Sequence, residues 1–218
     1  MAKAFPLRNR ALPDPYHGGV VSLAERSRAA WAAIAARFGG YGFVGPETPA
    51  FRCLSSACPV NCCRPFTVAL DAEDLERFLR LSGLPVESVV ECEGGVPVVL
   101  PLAEPYVLAR EGGACRFLGA DGRCTQYEAR PTACRLYPYQ VVFVDEGTGR
   151  LIAPSPERVR EAMAALEGVG GVGTVPVLLF HRACPGFVGE PLGEVAWLRL
   201  LRDTLSLQFR RMFAEQPA

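Results

Sequence analysis

Four cysteines lie within eleven residues, in the segment Cys53-Leu-Ser-Ser-Ala-Cys58-Pro-Val-Asn-Cys62-Cys63. A single buried cysteine is often only a small hydrophobic residue, but this clustering is typical of metal binding, because thiolates are ligands for soft metals. The groups of cysteines are far apart in the chain, so the fold has to bring their loops together. Four more candidate thiols follow at wide intervals, at Cys115, Cys124, Cys134 and Cys184.

The composition limits the classes of protein to which this chain can belong. With 218 residues, half of them hydrophobic, the chain can bury one substantial core, which favours a single domain over residues 1–218. The 23 basic and 23 acidic residues cancel, and this balance disfavours nucleic-acid binding. Residues 1–10 have no signal-peptide core, and no run approaches the roughly 18 apolar residues of a membrane span. We expect a cytoplasmic protein with a redox or protein partner that the sequence does not identify, and without nucleic-acid or membrane partners.

Thiols are kept reduced in the cytoplasm, so this pattern favours metal binding or catalysis over disulfides. The odd total of nine cysteines agrees with that interpretation. Disulfides would be the alternative in a hyperthermophile. A catalytic cysteine would need a histidine, and the chain has only His17 and His181. We expect His181 to satisfy a loop hydrogen bond, and we identify no catalytic residue.

The hydrophobic periodicity predicts an α+β fold, with short antiparallel β-hairpins, irregular cysteine-bearing loops and three to four covering helices. Ser22 and Glu25 predict a capping box, the carboxylates of residues 71–74 are predicted caps, and Asp121-Gly122 predicts a turn that brings Cys115 and Cys124 together. The predicted helices are 22–38, 71–81, 156–166 and 194–213, of which the first and last flank a metal-binding region at 53–189. The predicted strands are 65–70, 96–100, 106–109, 139–145, 150–153 and 175–180.

The last predicted helix carries an apolar stripe and a face that we expect to be solvated. The stripe residues are Val195, Leu198, Leu201, Leu205 and Phe209. The arginines of the solvated face are Arg199, Arg202, Arg210 and Arg211.

The charges of adjacent residues divide the nine cysteines into candidate metal ligands and one excluded cysteine. Cys92 lies between Glu91 and Glu93, which disfavour a thiolate, so we exclude it from the ligands. Five of the other cysteines have an adjacent arginine that can offset thiolate charge. These arginines are Arg52, Arg64, Arg116, Arg123 and Arg135.

The pair Cys62-Cys63 adds a geometric constraint, because adjacent side chains in an extended backbone point to opposite faces. The two thiols would then serve two centres, and eight thiols are the number that two four-thiolate sites need. One centre with additional buried cysteines is the alternative. The gaps C-x4-C-x3-C permit a tetrahedral zinc site, whereas the isolated cysteines further along suit an iron–sulfur cluster equally well.

A resemblance to a known family rests on Cys62-Cys63, on Cys115-Arg-Phe-Leu and on Cys124-Thr-Gln-Tyr-Glu-Ala-Arg-Pro-Thr-Ala-Cys134-Arg-Leu-Tyr-Pro138. These segments resemble the CxxCxxCC family of zinc- or iron-chelating domains, also called YkgJ-type cysteine-cluster proteins. The specific part is Tyr127-Glu128-x-Arg130-Pro131-x-x-Cys134-Arg135. The resemblance spans residues 53–189, where Cys184-Pro185-Gly186 matches the family's late cysteine. The first group here, C-x4-C-x3-CC, is wider than the family's C-x2-C-x2-CC.

The resemblance implies a cysteine-bound metal, since members are commonly described as iron–sulfur proteins and a similar cluster occurs in flagellin lysine N-methylases. It also gives Arg130 a role beside the ligands, donating to a sulfur or to a carbonyl of the Cys134 loop. The alternative is that Arg130-Pro131 only redirects the chain, with Glu128 paired to Arg130. We place Arg135 beside the ligands as well. The predicted metal ligands are Cys53, Cys58, Cys62, Cys63, Cys115, Cys124, Cys134 and Cys184.

The leading hypothesis is an iron–sulfur protein in a redox or electron-transfer role, with a [4Fe–4S] cluster as its cofactor. The second is a structural zinc module that serves protein interactions. The third is a metal-dependent modifying enzyme of methyltransferase type, but the glycine-rich segment 168–173 precedes a strand instead of following one.

Overall fold

The computed structural model describes residues 21–168 and 173–214. The predicted α+β class is confirmed, with seven α-helices and several short antiparallel sheets in these ranges. The helices are α1 (Leu23–Ile34), α2 (Ala72–Ser82), α3 (Val86–Val89), α4 (Thr132–Leu136), α5 (Pro156–Leu166), α6 (Gly193–Gln208) and α7 (Arg210–Ala214). The strands are β1 (Tyr41–Phe43), β2 (Pro49–Phe51), β3 (Ala69–Leu70), β4 (Cys92–Glu93), β5 (Val96–Pro97), β6 (Tyr106–Val107), β7 (Arg110–Glu111), β8 (Ala114–Cys115), β9 (Tyr139–Asp145), β10 (Arg150–Ile152), β11 (Thr174–His181) and β12 (Phe187–Pro191).

Some sequence features lie outside the described residues. They are His17, the N-terminal residues 1–20 and most of the glycine-rich segment 168–173. None of the helices within 21–168 and 173–214 combines the length and the hydrophobicity that a membrane span requires.

The largest sheet has the strand order β1-β11-β9-β10, and every neighbouring pair is antiparallel. Helices cover both of its faces. On one face, Ile34 of α1 packs with Val175 and Val177 of β11. On the other, Leu178 packs with α5 and α6 residues. Because side chains alternate along a strand, these burial patterns place β11 in the middle of the protein.

The amphipathic C-terminal helix is predicted correctly in outline but not in detail. It is interrupted at Phe209, so that α6 and α7 are separate helices. Trp197 is fully buried and donates its indole N–H to the Val44 carbonyl at 2.8 Å, whereas Val195 is 75% exposed. Placing Val195 on the apolar stripe was therefore wrong, because it lies two residues before the buried Trp197, about 200° away around the helix.

Arg199, Arg202 and Arg211 are exposed, as predicted for the solvated face, whereas Arg210 is partly buried. Arg210 and Arg211 are also engaged in ion pairs. Both guanidinium groups donate to the Asp71 carboxylate at the start of α2, and Arg210 also pairs with Glu73 at 3.2 Å. Although burial opposes ionisation, the Asp74 N–H and the two arginines lower the pKa of Asp71 on balance. The C-terminal helix thereby binds the part of the chain that carries the cysteine loops.

A second core lies between α2, α3 and the short hairpins. Leu70, Phe78 and Phe117 belong to it, and the thiols Cys115 and Cys124 pack against its edge. The strands predicted at 65–70, 96–100 and 106–109 shorten to two residues each. Because the strands and turns of this region are short, hydrogen bonds from side chains hold its backbone in place.

Helix α2 supplies many of those bonds. Asp71 caps its N-terminus, as predicted, by accepting from the Asp74 N–H at 2.6 Å. The Asp74 carboxylate then accepts from the Thr132 N–H at 3.0 Å and from the Thr132 hydroxyl at 2.9 Å, at the first turn of α4. Arg77 donates to the carbonyls of residues 128–130. Since α4 carries Cys134, α2 fixes the position of that thiol.

We expect the Asp74→Ala variant to lose about 2–3 kcal/mol of unfolding free energy, because the buried N–H and hydroxyl of Thr132 lose their acceptor. Denaturant unfolding followed by circular dichroism measures the change. Glu76→Ala removes an exposed carboxylate from the same helix and should change the free energy by no more than about 0.5 kcal/mol. Equal losses in the two variants would contradict the capping role of Asp74.

Candidate metal centre

The eight predicted ligands lie on loops and short elements around the junction of the two cores. Cys53 and Cys58 flank a 3₁₀ turn at Ser55–Ala57, and Cys62 and Cys63 lie in the turn that follows. Cys115 ends β8, Cys134 lies in α4 and Cys184 follows β11. All nine cysteines lie in the described ranges, and each is a free thiol.

The loop 53–63 uses two left-handed residues to fold back on itself. Ser55 has φ 49° and Asn61 has φ 41°, which is strained for serine and more readily tolerated by asparagine. The Asn61 N–H donates to the Cys58 sulfur at 3.3 Å. A backbone donor at this place stabilises negative charge on the sulfur, as hydrogen bonds to thiolate ligands do in metal sites.

The same turn corrects the assumption of an extended backbone at Cys62-Cys63. The two thiols lie close enough to act on each other: Cys63 is the largest cause that lowers the pKa of Cys62, and Cys62 is the largest cause that raises the pKa of Cys63. The directions of the two side chains therefore do not assign Cys62 and Cys63 to different metal centres. Only the residues around each thiol can do so.

Cys63, Cys115, Cys124 and Cys134 form what we call the first thiol group. Its backbone contacts are direct: the Cys115 N–H donates to the Cys63 carbonyl at 2.7 Å, and Leu118 bridges to Cys124. Burial raises the pKa of Cys134 to about 12, and the other three thiols add to that shift. Burial likewise raises the pKa of Cys115 and of Cys124, with Cys63 adding to each. The predicted approach of Cys115 and Cys124 is confirmed.

Cys53, Cys58, Cys62 and Cys184 form the second thiol group. The Arg52 N–H donates to the Gly186 carbonyl at 2.7 Å, which joins the loop of Cys53 to the loop of Cys184. Burial raises the pKa of Cys184, with the charges of Cys58 and Cys53 adding to the shift. Against the larger effect of Cys63, the charges of Cys134, Cys53 and Cys184 act to raise the pKa of Cys62.

Two tyrosines border the second thiol group and were not predicted as site residues. Burial raises the pKa of Tyr137, and the charge of Cys184 raises it further. Against the larger effect of burial, the Tyr137 hydroxyl acts to lower the pKa of Cys184. Burial also raises the pKa of Tyr139 to about 12. Both hydroxyls remain protonated at neutral pH, and the position of Tyr137 three residues after Cys134 was the available sequence signal.

The cations that act on the first thiol group are Arg110 and Arg130. Against neighbouring thiols and burial, Arg130 acts to lower the pKa of Cys63 and of Cys134, and its role beside the ligands stays a prediction. Its guanidinium lies 3.6 Å from the centre of the Tyr127 ring, and its Nε donates to the Tyr127 carbonyl at 2.9 Å. For Arg135, the structure shows proximity to another arginine, Arg77. The role of Arg135 at the metal stays a prediction.

Arg110 is a positioning residue that the sequence did not reveal. Its guanidinium donates to the carbonyls of Arg64 and Phe66 at 2.5 Å and to that of Gly113 at 2.6 Å. These bonds join the segment after Cys63 to the hairpin before Cys115. Arg116, adjacent to Cys115, instead donates to the carbonyls of residues 87 and 88. Adjacency in sequence thus did not predict which cations lie near the sulfur atoms.

The two residues left out of the ligand set occupy ordinary structural positions. The Cys92 sulfur lies 3.5 Å from the Val90 carbonyl, and its side chain packs against the second core. His181 accepts the Ala183 N–H at its Nδ1 atom at 3.3 Å, which is the loop hydrogen bond that we expected. Its ring packs against Tyr41 and Tyr137.

A polar cavity of about 480 Å³ opens beside the thiols, with Cys58 and Cys115 on its wall. Gly122 closes one side of it by packing on the backbone of the loop 53–63. A Cβ atom at Gly122 would lie 2.7 Å from the Ser56 Cα and 2.8 Å from the Ser56 nitrogen. Gly122 also has φ 74°, so both its conformation and its contact require glycine.

The donor set fits a soft metal, since it consists of thiols, with a backbone N–H donor to the Cys58 sulfur. Within residues 21–168 and 173–214, no three or more His, Cys, Asp and Glu side chains are arranged to hold a metal ion as they stand. The backbone bonds bring the cysteine-bearing loops into two neighbourhoods, one around the Cys63 and Cys115 segments and one around the Cys53 and Cys184 segments.

We expect the Gly122→Ala variant to lose more stability than Gly113→Ala. Gly113 has φ 80°, and a Cβ atom there would have nothing within 4 Å, so alanine costs only conformational strain, roughly 1 kcal/mol. At Gly122 the contact with Ser56 adds a further cost of about 2 kcal/mol. Thermal and denaturant unfolding compare the two variants, and equal losses would show that the loops do not pack as described.

The comparisons with known proteins agree with the resemblance predicted from sequence. A family model described as "CxxCxxCC: Putative zinc- or iron-chelating domain" matches residues 52–154, slightly under half of the chain. The matched segment contains seven of the eight predicted ligands, and Cys184 lies beyond it. Neither a curated protein nor a solved structure matches the chain significantly. Residues 52–154 of this protein are therefore similar to the CxxCxxCC domain, which is described as zinc- or iron-chelating.

Proposed function

We propose that this protein binds iron as an iron–sulfur cluster and acts in redox or electron-transfer reactions in the reducing cytoplasm. The observation that carries the proposal is the chemistry of the two thiol groups, which hold eight cysteines and include a backbone N–H donor to the Cys58 sulfur at 3.3 Å. Iron–sulfur clusters are bound by cysteine thiolates, and hydrogen bonds to the sulfurs tune their reduction potentials.

The environment of the thiols suits a redox centre. The ligands are half-buried for the most part, and a cavity of about 480 Å³ reaches Cys58 and Cys115 from outside. Partial burial lowers the dielectric constant around a cluster, while an open side allows an electron-transfer partner to approach. The thiol pKa values that burial raises favour the protonated forms, so a bound metal has to displace protons.

A structural zinc site is the second candidate, because the first thiol group on its own supplies the four thiolates of a tetrahedral zinc site. The family description includes zinc as well as iron. In this case the metal would stabilise the loops that serve a protein partner, without redox chemistry.

The metal content of protein purified without oxygen tests the proposal. We expect iron together with acid-labile sulfide, and broad absorption in the blue part of the visible spectrum that bleaches on reduction. Elemental analysis combined with a sulfide assay distinguishes the candidates. Zinc without sulfide in anaerobically prepared protein would reject the redox proposal and favour the structural one.

Cys134→Ser and Cys92→Ser should differ sharply in metal content. Cys134 belongs to the first thiol group and is fixed by α4, and serine is a poor replacement for a thiolate ligand. Cys92 contacts backbone carbonyls and apolar side chains, so serine there should cost only a modest amount of packing stability. Metal per chain, measured by elemental analysis, makes the comparison. Equal loss in both variants would show that Cys92 is a ligand.

A further inference from the structure

We propose that the eight thiols form two adjacent metal centres of four thiols each, one at Cys63, Cys115, Cys124 and Cys134 and the other at Cys53, Cys58, Cys62 and Cys184. This inference rests on metal binding, the basis of the proposed function, but not on the identity of the metal. Four thiolates are the complete ligand set of a structural zinc ion and of a common iron–sulfur cluster alike.

The first group is internally connected. Each of its thiols lies close enough to every other for their charges to interact. The Cys115 N–H binds the Cys63 carbonyl at 2.7 Å, and the turn closed by the Leu118–Cys124 bridge places Cys124 next to Cys115. Asp74 and Arg77 of α2 then hold the start of α4 with Cys134. These supports all belong to the second core.

The second group rests on the other part of the fold. Phe51 of β2 pairs with Phe187 of β12, and the Arg52 N–H binds the Gly186 carbonyl, so the chain on both sides of Cys184 is held beside Cys53. A Cβ atom at Gly186 would lie 2.8 Å from the Arg52 carbonyl, which shows how closely the two loops approach. The loop of Cys184 continues from β11 of the large sheet. The two groups are thus assembled by different elements.

The adjacent residues Cys62 and Cys63 form the junction between the groups. The Cys63 carbonyl is bound to the Cys115 strand, and its thiol acts on the rest of the first group. Cys62 lies near Cys53, Cys184 and the Tyr137 hydroxyl. Its interactions with Cys63 and Cys134 are the contacts expected between neighbouring centres. The division therefore assigns Cys63 to the first centre and Cys62 to the second.

Single cysteine substitutions in the full chain test this division. Cys124→Ser should empty only the first centre, and Cys184→Ser only the second, so each variant should keep about half of the wild-type metal per chain. The combined variant should keep none. Metal per chain by elemental analysis is the readout, and the Cys92→Ser variant is the control that keeps all of it.

Substitutions at the junction assign the two adjacent thiols. Cys63→Ser combined with Cys124→Ser should still keep about half of the metal, because both residues belong to one centre. Cys62→Ser combined with Cys124→Ser should keep none. Circular dichroism identifies a variant that fails to fold; Cys115→Ser then replaces Cys124→Ser, and Cys58→Ser replaces Cys184→Ser.

Each outcome decides the division separately from the proposed function. If every single variant loses all of the metal, one shared centre uses thiols from both groups, and the proposal is wrong. Full metal content in both Cys184→Ser and Cys58→Ser would equally overturn it, since the second centre would not exist. Half-retention with zinc in place of iron and sulfide would support two centres while rejecting the redox role. A wild-type protein that binds neither metal on reconstitution would reject both.

Discussion

The cysteine-bearing loops are held in place by hydrogen bonds and ion pairs that do not involve the thiols, and the rest of the structure depends on these bonds. A thiol that is to bind metal cannot also anchor its own loop, and loops separated by more than fifty residues lose considerable entropy when they are brought together. Carbonyl-binding arginines, two buried carboxylates and the arginine paired with one of them provide the anchors. Arg77 and Asp74 hold the start of α4, Arg110 joins the Cys63 segment to the Cys115 hairpin, and Arg210 ties α7 to α2.

Several arginines near the cysteine loops use their N–H groups on the backbone. Arg77, Arg110 and Arg116 all donate to carbonyls. Burial and mutual repulsion raise the pKa of Cys115 and of Cys134 when no metal is bound. A divalent metal or a cluster would supply the missing positive charge, so the same arrangement that disfavours free thiolates favours metal-bound ones. Thiolate formation and metal binding are coupled as a result.

Local sequence patterns predicted the regular elements well. The capping box of α1, the cap of α2 at Asp71 with Gly83 after its last residue, and the start of α5 at Ser155-Pro156 are present in the structure. The hairpin of β9 and β10 also lies where the alternating pattern placed it. These features are predictable because their determinants lie within a few residues of one another. The lengths of the short strands near the cysteines were overestimated, because the pairing of these strands depends on contacts with distant parts of the chain.

The sequence by itself determined the ligand chemistry, since eight clustered cysteines with a family signature indicate a thiolate-bound metal in any fold that brings them together. Tertiary structure alone decided which thiols are neighbours, that Cys62 and Cys63 lie in a turn, and that Arg110 and Tyr137 belong to the site. The physical reason is distance along the chain. Residue identity carries the chemistry of a ligand, but the partners of Cys63 and Cys184 come from segments that no local pattern connects to them.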